Sequence, residues 1–174
     1  MISAMSQQPS NKKRAVAAAT IALAFALEGV SYVPYRDVAG VWTIGAGSTG
    51  PDIIASTPAW TPAQVQERTA QDLQKFQDGV LDCMASEPTE GQLRAFTLVA
   101  YNIGFGAPGI ADGFCYLKSG RLSTIMTRYN AGDKLGACLA IFQWNKVRDP
   151  KTKKLVFSKG LHNRREKEYN ECIS

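Results

Sequence analysis

The stretch "LEGVSYVPYRDVAGVWTIGAGSTG", residues 27–50, decides the fold because the character of the sequence changes within it. It starts at the end of an alanine-rich apolar run, where Glu28 is the first carboxylate of the chain. From residue 30 onward, β-branched and aromatic residues mix with glycine and one proline, which is typical of short strands joined by tight turns. The sequence therefore predicts a helix ending near Glu28, followed by a small antiparallel sheet at about residues 30–57.

Helical signals dominate the rest of the chain. Thr61, followed directly by a proline, is an N-cap with proline in the first turn. Thr89 and Gln92 form a capping-box pattern, and helical spacing continues toward the C terminus, interrupted by a basic loop or hairpin at residues 149–160. The predicted fold class is α+β, with a small antiparallel β lobe beside a larger helical lobe at about residues 61–174.

The length and charge of the chain limit its organisation and its partners. The 174 residues fit one domain, predicted as a flexible basic N-terminus at residues 1–14 and a single domain at residues 15–174. The formal net charge of +5 fits an acidic partner, which includes nucleic acid, an anionic membrane and an anionic wall polymer. The basic C-terminal third contains no known nucleic-acid-binding motif, so nucleic acid is not expected as a partner.

Residues 15–27 have three possible fates. The segment follows a basic cluster and contains "AFA", as in a signal peptide with a cleavage site. Cleavage after Ala26 would destroy any helix that presents Glu28. The apolar run is shorter than the roughly 20 residues that span a bilayer as a helix, although a weak, releasable membrane anchor stays open. A buried core helix is the default prediction.

Four cysteines are spread widely along the helical part of the chain. They have no CxxC spacing, and His162 is the only histidine, so a zinc site is not expected. An even number of widely spaced cysteines favours two disulfides and an oxidising compartment. Four buried free thiols are the alternative.

Two carboxylates in the opening stretch suggest a type of chemistry. Glu28, at the end of an apolar helix, would be partly desolvated, which favours its protonated form. Asp37 follows nine residues later among more polar neighbours and should stay ionised. Glycoside hydrolysis needs two carboxyl groups in different protonation states, and Thr43 offers a hydroxyl to hold a water molecule. Alone, this spacing is a weak signal, and two solvated surface charges are the alternative.

The wider pattern around these residues is more specific. It reads E-G-x-x-x-x-x-Y-x-D-x-x-G-x-x-T-x-G-x-G and resembles the phage-type lysozymes of glycoside hydrolase family 24. The segment "AFTLVAYNIGFG" (95–106) is similar to the family's central helix, and "GLHNRREKE" (160–168) is similar to its C-terminal signature. The resemblance covers about residues 18–173.

The resemblance implies roles for particular residues. Glu28, Asp37 and Thr43 match the family's catalytic triad, with Glu28 as the acid and the other two positioning the attacking water. Tyr35 agrees with the motif, and Arg164 matches an arginine that lies beside the catalytic glutamate. The resemblance implies no metal and no cofactor.

One position departs from the family pattern. Family members often carry histidine after the second glycine of Gly-x-Gly, where this chain has Ser48. The histidine is not part of the triad, so the predicted catalytic residues are unchanged.

The resemblance also favours a pairing of the cysteines. Relatives that act outside the cytoplasm often carry bridges in the helical lobe. Among the three possible connectivities, this favours Cys83 with Cys115 and Cys138 with Cys172.

The function implied is that of a phage endolysin. Such a muramidase hydrolyses the β-1,4 bond between N-acetylmuramic acid and N-acetylglucosamine in peptidoglycan and causes host cell lysis. A lytic transglycosylase on the same fold is an alternative, but it would not need Asp37 and Thr43. A non-enzymatic cell-wall-binding module is another. The protein is expected to be a monomer, made in the host cytoplasm and acting in the periplasm, with a possible transient inner-membrane association through residues 15–27.

Overall fold

The computed structural model describes residues 14–37 and 39–174, and the predicted N-terminal segment 1–14 therefore lies outside it except for Arg14. The described residues confirm the predicted α+β class, with a small sheet beside a helical lobe. The elements in chain order are α1 (Ala18–Glu28), β1 (Ser31–Arg36), β2 (Trp42–Gly45), β3 (Ser48–Thr49), α2 (Pro62–Cys83), α3 (Glu90–Ile103), α4 (Thr124–Asn130), α5 (Lys134–Ala140), a 3₁₀ helix (Ile141–Trp144), β4 (Lys146–Arg148), β5 (Leu155–Phe157) and α6 (Lys159–Cys172).

The sheet of the β lobe has the order β1-β2-β3 and is antiparallel throughout. Tyr35 on β1 lies opposite Thr43 on β2. The tight turn from β2 to β3 uses Gly45 at φ 68° and Gly47 at φ 89°, backbone conformations that side chains with a Cβ atom rarely adopt. The turn residues of the opening stretch therefore fix where β2 reverses direction.

Helices α2 and α3 form the frame of the helical lobe. The predicted N-caps are confirmed: Thr61 forms a capping box with Gln64, and Thr89 forms one with Gln92. Helix α3 runs through the centre, where nearly every residue from 91 to 100 is buried, and it packs against α2 on one side and α6 on another. The helix that the resemblance identified as the family's central helix therefore lies at the core of the molecule.

Helix α1 forms from an alanine-rich run of high helix propensity and ends where the prediction placed its end, at Glu28. Gly29, at φ 73°, turns the chain away and its N–H group donates to the carbonyl oxygen of Phe25. The helix packs on α2 and α3, where Ala24 is in contact with Leu73 and Leu98. This packing fixes the position from which the Glu28 side chain projects.

The prediction of a buried core helix is wrong for the outer side of α1. Ala24 is 0% exposed, whereas Ala22 is exposed. Only one side of α1 meets the frame helices, so alanines on the other side face outward. Within the described residues, no helix has the length and apolar character needed to cross a membrane.

Polar contacts fasten the segment that precedes α1. The amide oxygen of Gln74 accepts from the Val16 N–H group at 2.8 Å. The Arg14 carbonyl accepts from Gln74 and from Gln77, at 3.0 and 2.7 Å. The Arg14 guanidinium also pairs with Glu87 and Glu90 at the surface. These contacts add a second, polar attachment to the limited apolar burial of α1.

The four cysteines form two disulfides, Cys83–Cys115 and Cys138–Cys172, which are the pairs that the resemblance favoured. The first connects the end of α2 to the loop after α3, and the second connects α5 to the end of α6. Both bridges lie in the helical lobe.

Reduction of the disulfides should lower the free energy of unfolding. The bridges join cysteines 32 and 34 residues apart, and loops of that size are each worth about 4 kcal/mol in the chain-entropy model. Unfolding curves with and without reductant measure the loss, and peptide mapping without reductant identifies the pairs. Four free thiols in protein recovered from the periplasm would contradict this prediction.

Candidate active site

A cleft of about 300 Å³ opens where α1 meets the β lobe. Glu28, the last residue of α1, points its carboxyl group into this region, and its side chain is 19% exposed. The described residues that line the cleft are Glu28, Gly29, Val30, Ser31, Tyr35 and Gly45. Glu28 is the acidic side chain among them.

An ion-pair network behind Glu28 holds its carboxyl group in place. The Arg164 guanidinium donates through Nη2 to Glu28 Oε1 at 2.7 Å and through Nε to Glu168 Oε1 at 2.9 Å. Arg165 donates through Nη1 to Glu168 Oε2 at 2.6 Å and through Nη2 to the side-chain oxygen of Asn102. The network therefore joins α1, α3 and α6.

The electrostatics of this network depend on burial. The side chains of Arg165 and Glu168 are fully buried, and that of Arg164 is nearly so. When Glu28 is ionised, two guanidinium groups face two carboxylates and the charges balance within the network. Burial raises the pKa of Glu168, and the adjacent arginines oppose that shift. Removing one partner of a buried pair leaves an uncompensated charge, which commonly costs about 3–5 kcal/mol.

The turn between β2 and β3 lies next to Glu28. A Cβ atom placed on Gly47 would lie 3.8 Å from Oε2 of Glu28 and 3.8 Å from the hydroxyl oxygen of Tyr101. The Tyr101 hydroxyl donates to the carbonyl oxygen of Ala46 at 2.8 Å. Burial raises the pKa of Tyr101, so the phenol keeps the proton that it donates. Tyr101 therefore anchors the turn from the central helix.

Asp37 and Thr43 are both held through Val41. Asp37 Oδ1 accepts from the N–H groups of Ala39 and Val41, at 2.9 and 2.8 Å. The Thr43 hydroxyl donates to the Val41 carbonyl oxygen at 3.1 Å, and Thr43 is only 3% exposed. These hydrogen bonds orient both side chains at the hairpin end of β1 and β2.

The structure brings some of the candidate residues into contact and leaves others apart. Arg164 touches Glu28, and Tyr35 lines the same cleft as Glu28. Asp37 and Thr43 are not among the described residues that line the cleft. Thr43 lies opposite Tyr35 on the neighbouring strand, and Tyr35 does line the cleft.

Ser48, at the position that departs from the family pattern, is buried. It belongs to β3 and pairs with Ile44 on β2. A serine here is accommodated inside the small sheet.

The roles of Tyr101, Asn102, Arg165 and Glu168 were not predicted from the sequence. The ion pairs between the two arginines and Glu168 were predictable from sequence spacing, because a carboxylate three or four residues after an arginine lies on the same face of the helix. The Asn102 contact joins separate helices, and the Tyr101 hydrogen bond joins the central helix to the sheet. Sequence spacing therefore gave no sign of either contact.

Metal-binding potential is low in the part of the chain that the structure covers. No group of three or more His, Cys, Asp or Glu side chains there is placed to hold a metal ion. All four cysteines are in disulfides.

Comparison with known proteins identifies the family. The model of the family described as phage lysozyme matches residues 26–168, a range that contains the cleft and the ion-pair network. The chain is 35% identical over 159 residues to a SAR-endolysin of Pseudomonas phage phiKMV, covering 91% of this chain and 89% of that protein. It is 33% identical over 150 residues to a SAR-endolysin of Enterobacteria phage PA-2, covering 84% and 78%.

Comparison with a solved structure also places the fold among phage endolysins. The fold is similar to that of the endolysin from Escherichia coli O157:H7 phage FAHEc1, with a TM-score of 0.73 and 28% identity over 97% of this chain and 95% of that one. The shared fold, the sequence relatives and the family match agree over most of the chain. The protein therefore belongs to the phage lysozyme family, whose members are glycoside hydrolases that act on peptidoglycan.

Proposed function

We propose that Glu28 is the general acid of an inverting muramidase that cleaves the β-1,4 bond between N-acetylmuramic acid and N-acetylglucosamine. The observation that carries this proposal is the position of Glu28 in the cleft. Its carboxyl group is partly shielded from water at the end of a helix, and a general acid must reach the leaving oxygen while shielded enough to hold a proton.

The reaction follows from two carboxyl groups with different tasks. Glu28 gives its proton to the glycosidic oxygen, and the electron pair of the C1–O bond goes to that oxygen as the bond breaks. A water molecule attacks C1 from the opposite face and gives a proton to Asp37. The product is a reducing end with the opposite anomeric configuration.

The hydrogen bonds around Asp37 and Thr43 support their role in positioning water. Two backbone N–H groups hold Asp37 Oδ1, which leaves Oδ2 to accept from water. The Thr43 hydroxyl uses its proton on the Val41 carbonyl, so it offers lone pairs to the same water. A water molecule that donates to both groups would keep its lone pairs free to attack the sugar.

Arg164 has a positioning role in this mechanism. When Glu28 loses its proton, the new carboxylate already lies 2.7 Å from the guanidinium. Glu168 accepts from the same guanidinium, so Arg164 is held between the two carboxyl groups and keeps the Glu28 side chain directed toward the cleft.

We also propose where the enzyme acts. It is made in the host cytoplasm, associates transiently with the inner membrane through residues 15–27, and acts as a monomer in the periplasm, with residues 15–174 as one domain. Support comes from α1, which presents apolar residues on its outer as well as its inner side, and from relatives that carry the name SAR-endolysin. The same segment then docks as α1 and presents Glu28.

Glu28→Gln should abolish lysis without unfolding the protein, because glutamine has the same shape but no acidic proton. A loss of roughly 100- to 10,000-fold is expected for a missing general acid. Clearing of outer-membrane-stripped Gram-negative cells measures the activity, and NMR of the first-formed anomer with mass spectra of the fragments identifies the products. Near-full activity in the variant, a retained anomer or anhydro ends from the unaltered enzyme would each overturn a part of the proposal.

Glu168→Gln should reduce both stability and activity, because it leaves the buried Arg165 without a full counter-charge. The expected loss is about 3–5 kcal/mol of unfolding free energy. Glu166→Gln is the matched control, since Glu166 lies on the same helix and is exposed beside His162, where an ion pair is worth about 1 kcal/mol or less. If both substitutions have equal effects in urea unfolding, the network is not essential.

Ala24→Lys and Ala22→Lys distinguish the two proposed states of residues 15–27, the membrane-associated segment and the docked helix α1. Each adds a charge that opposes membrane association, but only Ala24 is buried in the folded enzyme. Ala24→Lys should therefore lower the stability of purified protein by about 3 kcal/mol and cost activity in a membrane-free assay, while Ala22→Lys should retain both. The intact mass of active protein should include residues 15–27. An active form that starts after Ala26 would refute the docked-helix proposal.

A further inference from the structure

The hairpin formed by β4 and β5 projects from the helical lobe. All six residues of its two strands are exposed. The strands pair as Lys146 with Phe157, Val147 with Val156 and Arg148 with Leu155. A two-stranded hairpin with both faces exposed buries little, so its surface composition must be explained by something other than packing within the chain.

The hairpin exposes aliphatic side chains on both faces. Val147 and Val156 form a cross-strand pair, and they are 44% and 40% exposed. Leu155, on the other face, is 61% exposed. Clustered exposed apolar residues at a projecting tip are typical of a surface that meets a partner.

The hairpin segment also carries the net charge of the protein. Residues 146–159 contain six basic residues and one acidic residue, a net charge of +5. The whole chain has 20 basic and 15 acidic residues, so the remainder contains fourteen of each and is neutral. The basic residues of the segment are Lys146, Arg148, Lys151, Lys153, Lys154 and Lys159.

The turn of the hairpin is held by its own hydrogen bonds. Asp149 Oδ1 accepts from the N–H groups of Lys151 and Thr152, at 2.9 and 2.6 Å. The Arg148 guanidinium donates to the carbonyl oxygen of Lys153 at 2.5 Å. The lysines of the turn are therefore presented by an ordered backbone, which reduces the entropy lost on binding.

The base of the hairpin is attached to the body of the protein. The Ser158 N–H group donates to the Asn145 carbonyl oxygen at 2.9 Å. The rings of Phe157 and His162 lie 5.4 Å apart, and His162 lies 5.5 Å from the ring of Phe142. Phe157 thus contacts the body of the protein on one side while it remains 60% exposed, and the valines, Leu155 and the lysines stay available to a partner.

We propose that the β4–β5 hairpin docks the enzyme on a bilayer that contains anionic phospholipid. Aliphatic side chains enter the boundary between headgroups and acyl chains, while the surrounding lysines pair with lipid phosphates. A wall glycan fits less well, because Leu155, Val147 and Val156 have no hydrogen-bonding groups for sugar hydroxyls. The proposal uses no residue of the cleft and is independent of the catalytic assignment.

Binding to vesicles tests this proposal on the full chain. The charge variant is Lys151→Gln with Lys154→Gln, and its control is Lys118→Gln with Arg121→Gln, exposed residues of another loop. The apolar variant is Leu155→Ser with Val156→Ser, and its control is Leu135→Ser with Leu139→Ser, which are exposed on α5. All variants keep α1 unchanged, so any membrane binding by α1 is common to them.

The measured quantities are the affinities for phosphatidylglycerol-containing vesicles, for phosphatidylcholine vesicles and for purified peptidoglycan sacculi. Each basic residue near an anionic surface contributes about fivefold to binding, so the charge variant should bind phosphatidylglycerol vesicles on the order of tenfold to thirtyfold more weakly. The apolar variant should also bind more weakly, both controls should stay close to the unaltered protein, and binding should fall with added salt. Hydrolysis of soluble peptidoglycan fragments should be the same for all.

Two results would overturn the proposal. Equal losses in the charge variant and its control would mean that net charge alone determines binding. Unchanged vesicle binding together with weakened binding to sacculi would assign the hairpin to the wall polymer. Because activity on soluble fragments is measured separately, either result leaves the catalytic proposal intact.

Discussion

The ion pair between Glu28 and Arg164 is the interaction on which the site depends. It joins residues that are 136 positions apart in the chain, at the end of α1 and in the middle of α6. Arg164 is itself held by Glu168, and Arg165 connects Glu168 to Asn102 on the central helix. The site is therefore complete only when the first and the last helix are both packed against α3.

The two helices that meet at this ion pair are held with very different strength. Helix α6 packs along α3 and is tied to α5 by the Cys138–Cys172 disulfide. Helix α1 contains no cysteine and fully buries only Thr20 and Ala24. Ile21, Leu23 and Leu27 pack against the core while partly exposed, and polar contacts near Arg14 add to this hold. An element with few buried contacts opens at a lower free-energy cost than the rest of the fold. Because α1 carries Glu28, the docking of α1 and the presence of the Glu28 carboxyl group in the cleft are one event.

The sequence predicted the features that depend on short-range chemistry. The N-cap at Thr61, the capping box at Thr89 and the end of α1 near Glu28 are each encoded within a few residues, and the structure has them where the sequence placed them. The half-burial of α1 was not predictable, because a run of nearly uniform apolar residues has no periodicity to indicate which side packs. The hydrogen bond from Tyr101 to the β2–β3 turn was also missed, since it is formed between elements and depends on how they pack.

The charged residues around Glu28 and the excess basic residues of the chain lie in different parts of the molecule. Inside the site, two arginines pair with two glutamates, so the network adds no net charge when Glu28 is ionised. The excess positive charge lies in residues 146–159, which lead directly into the first turn of α6. The helix that positions Glu28 through Arg164 thus begins at the base of the basic hairpin. The hairpin strands are exposed, whereas the network is buried. The bilayer docking that we propose for the hairpin would therefore leave the contacts around Glu28 unchanged.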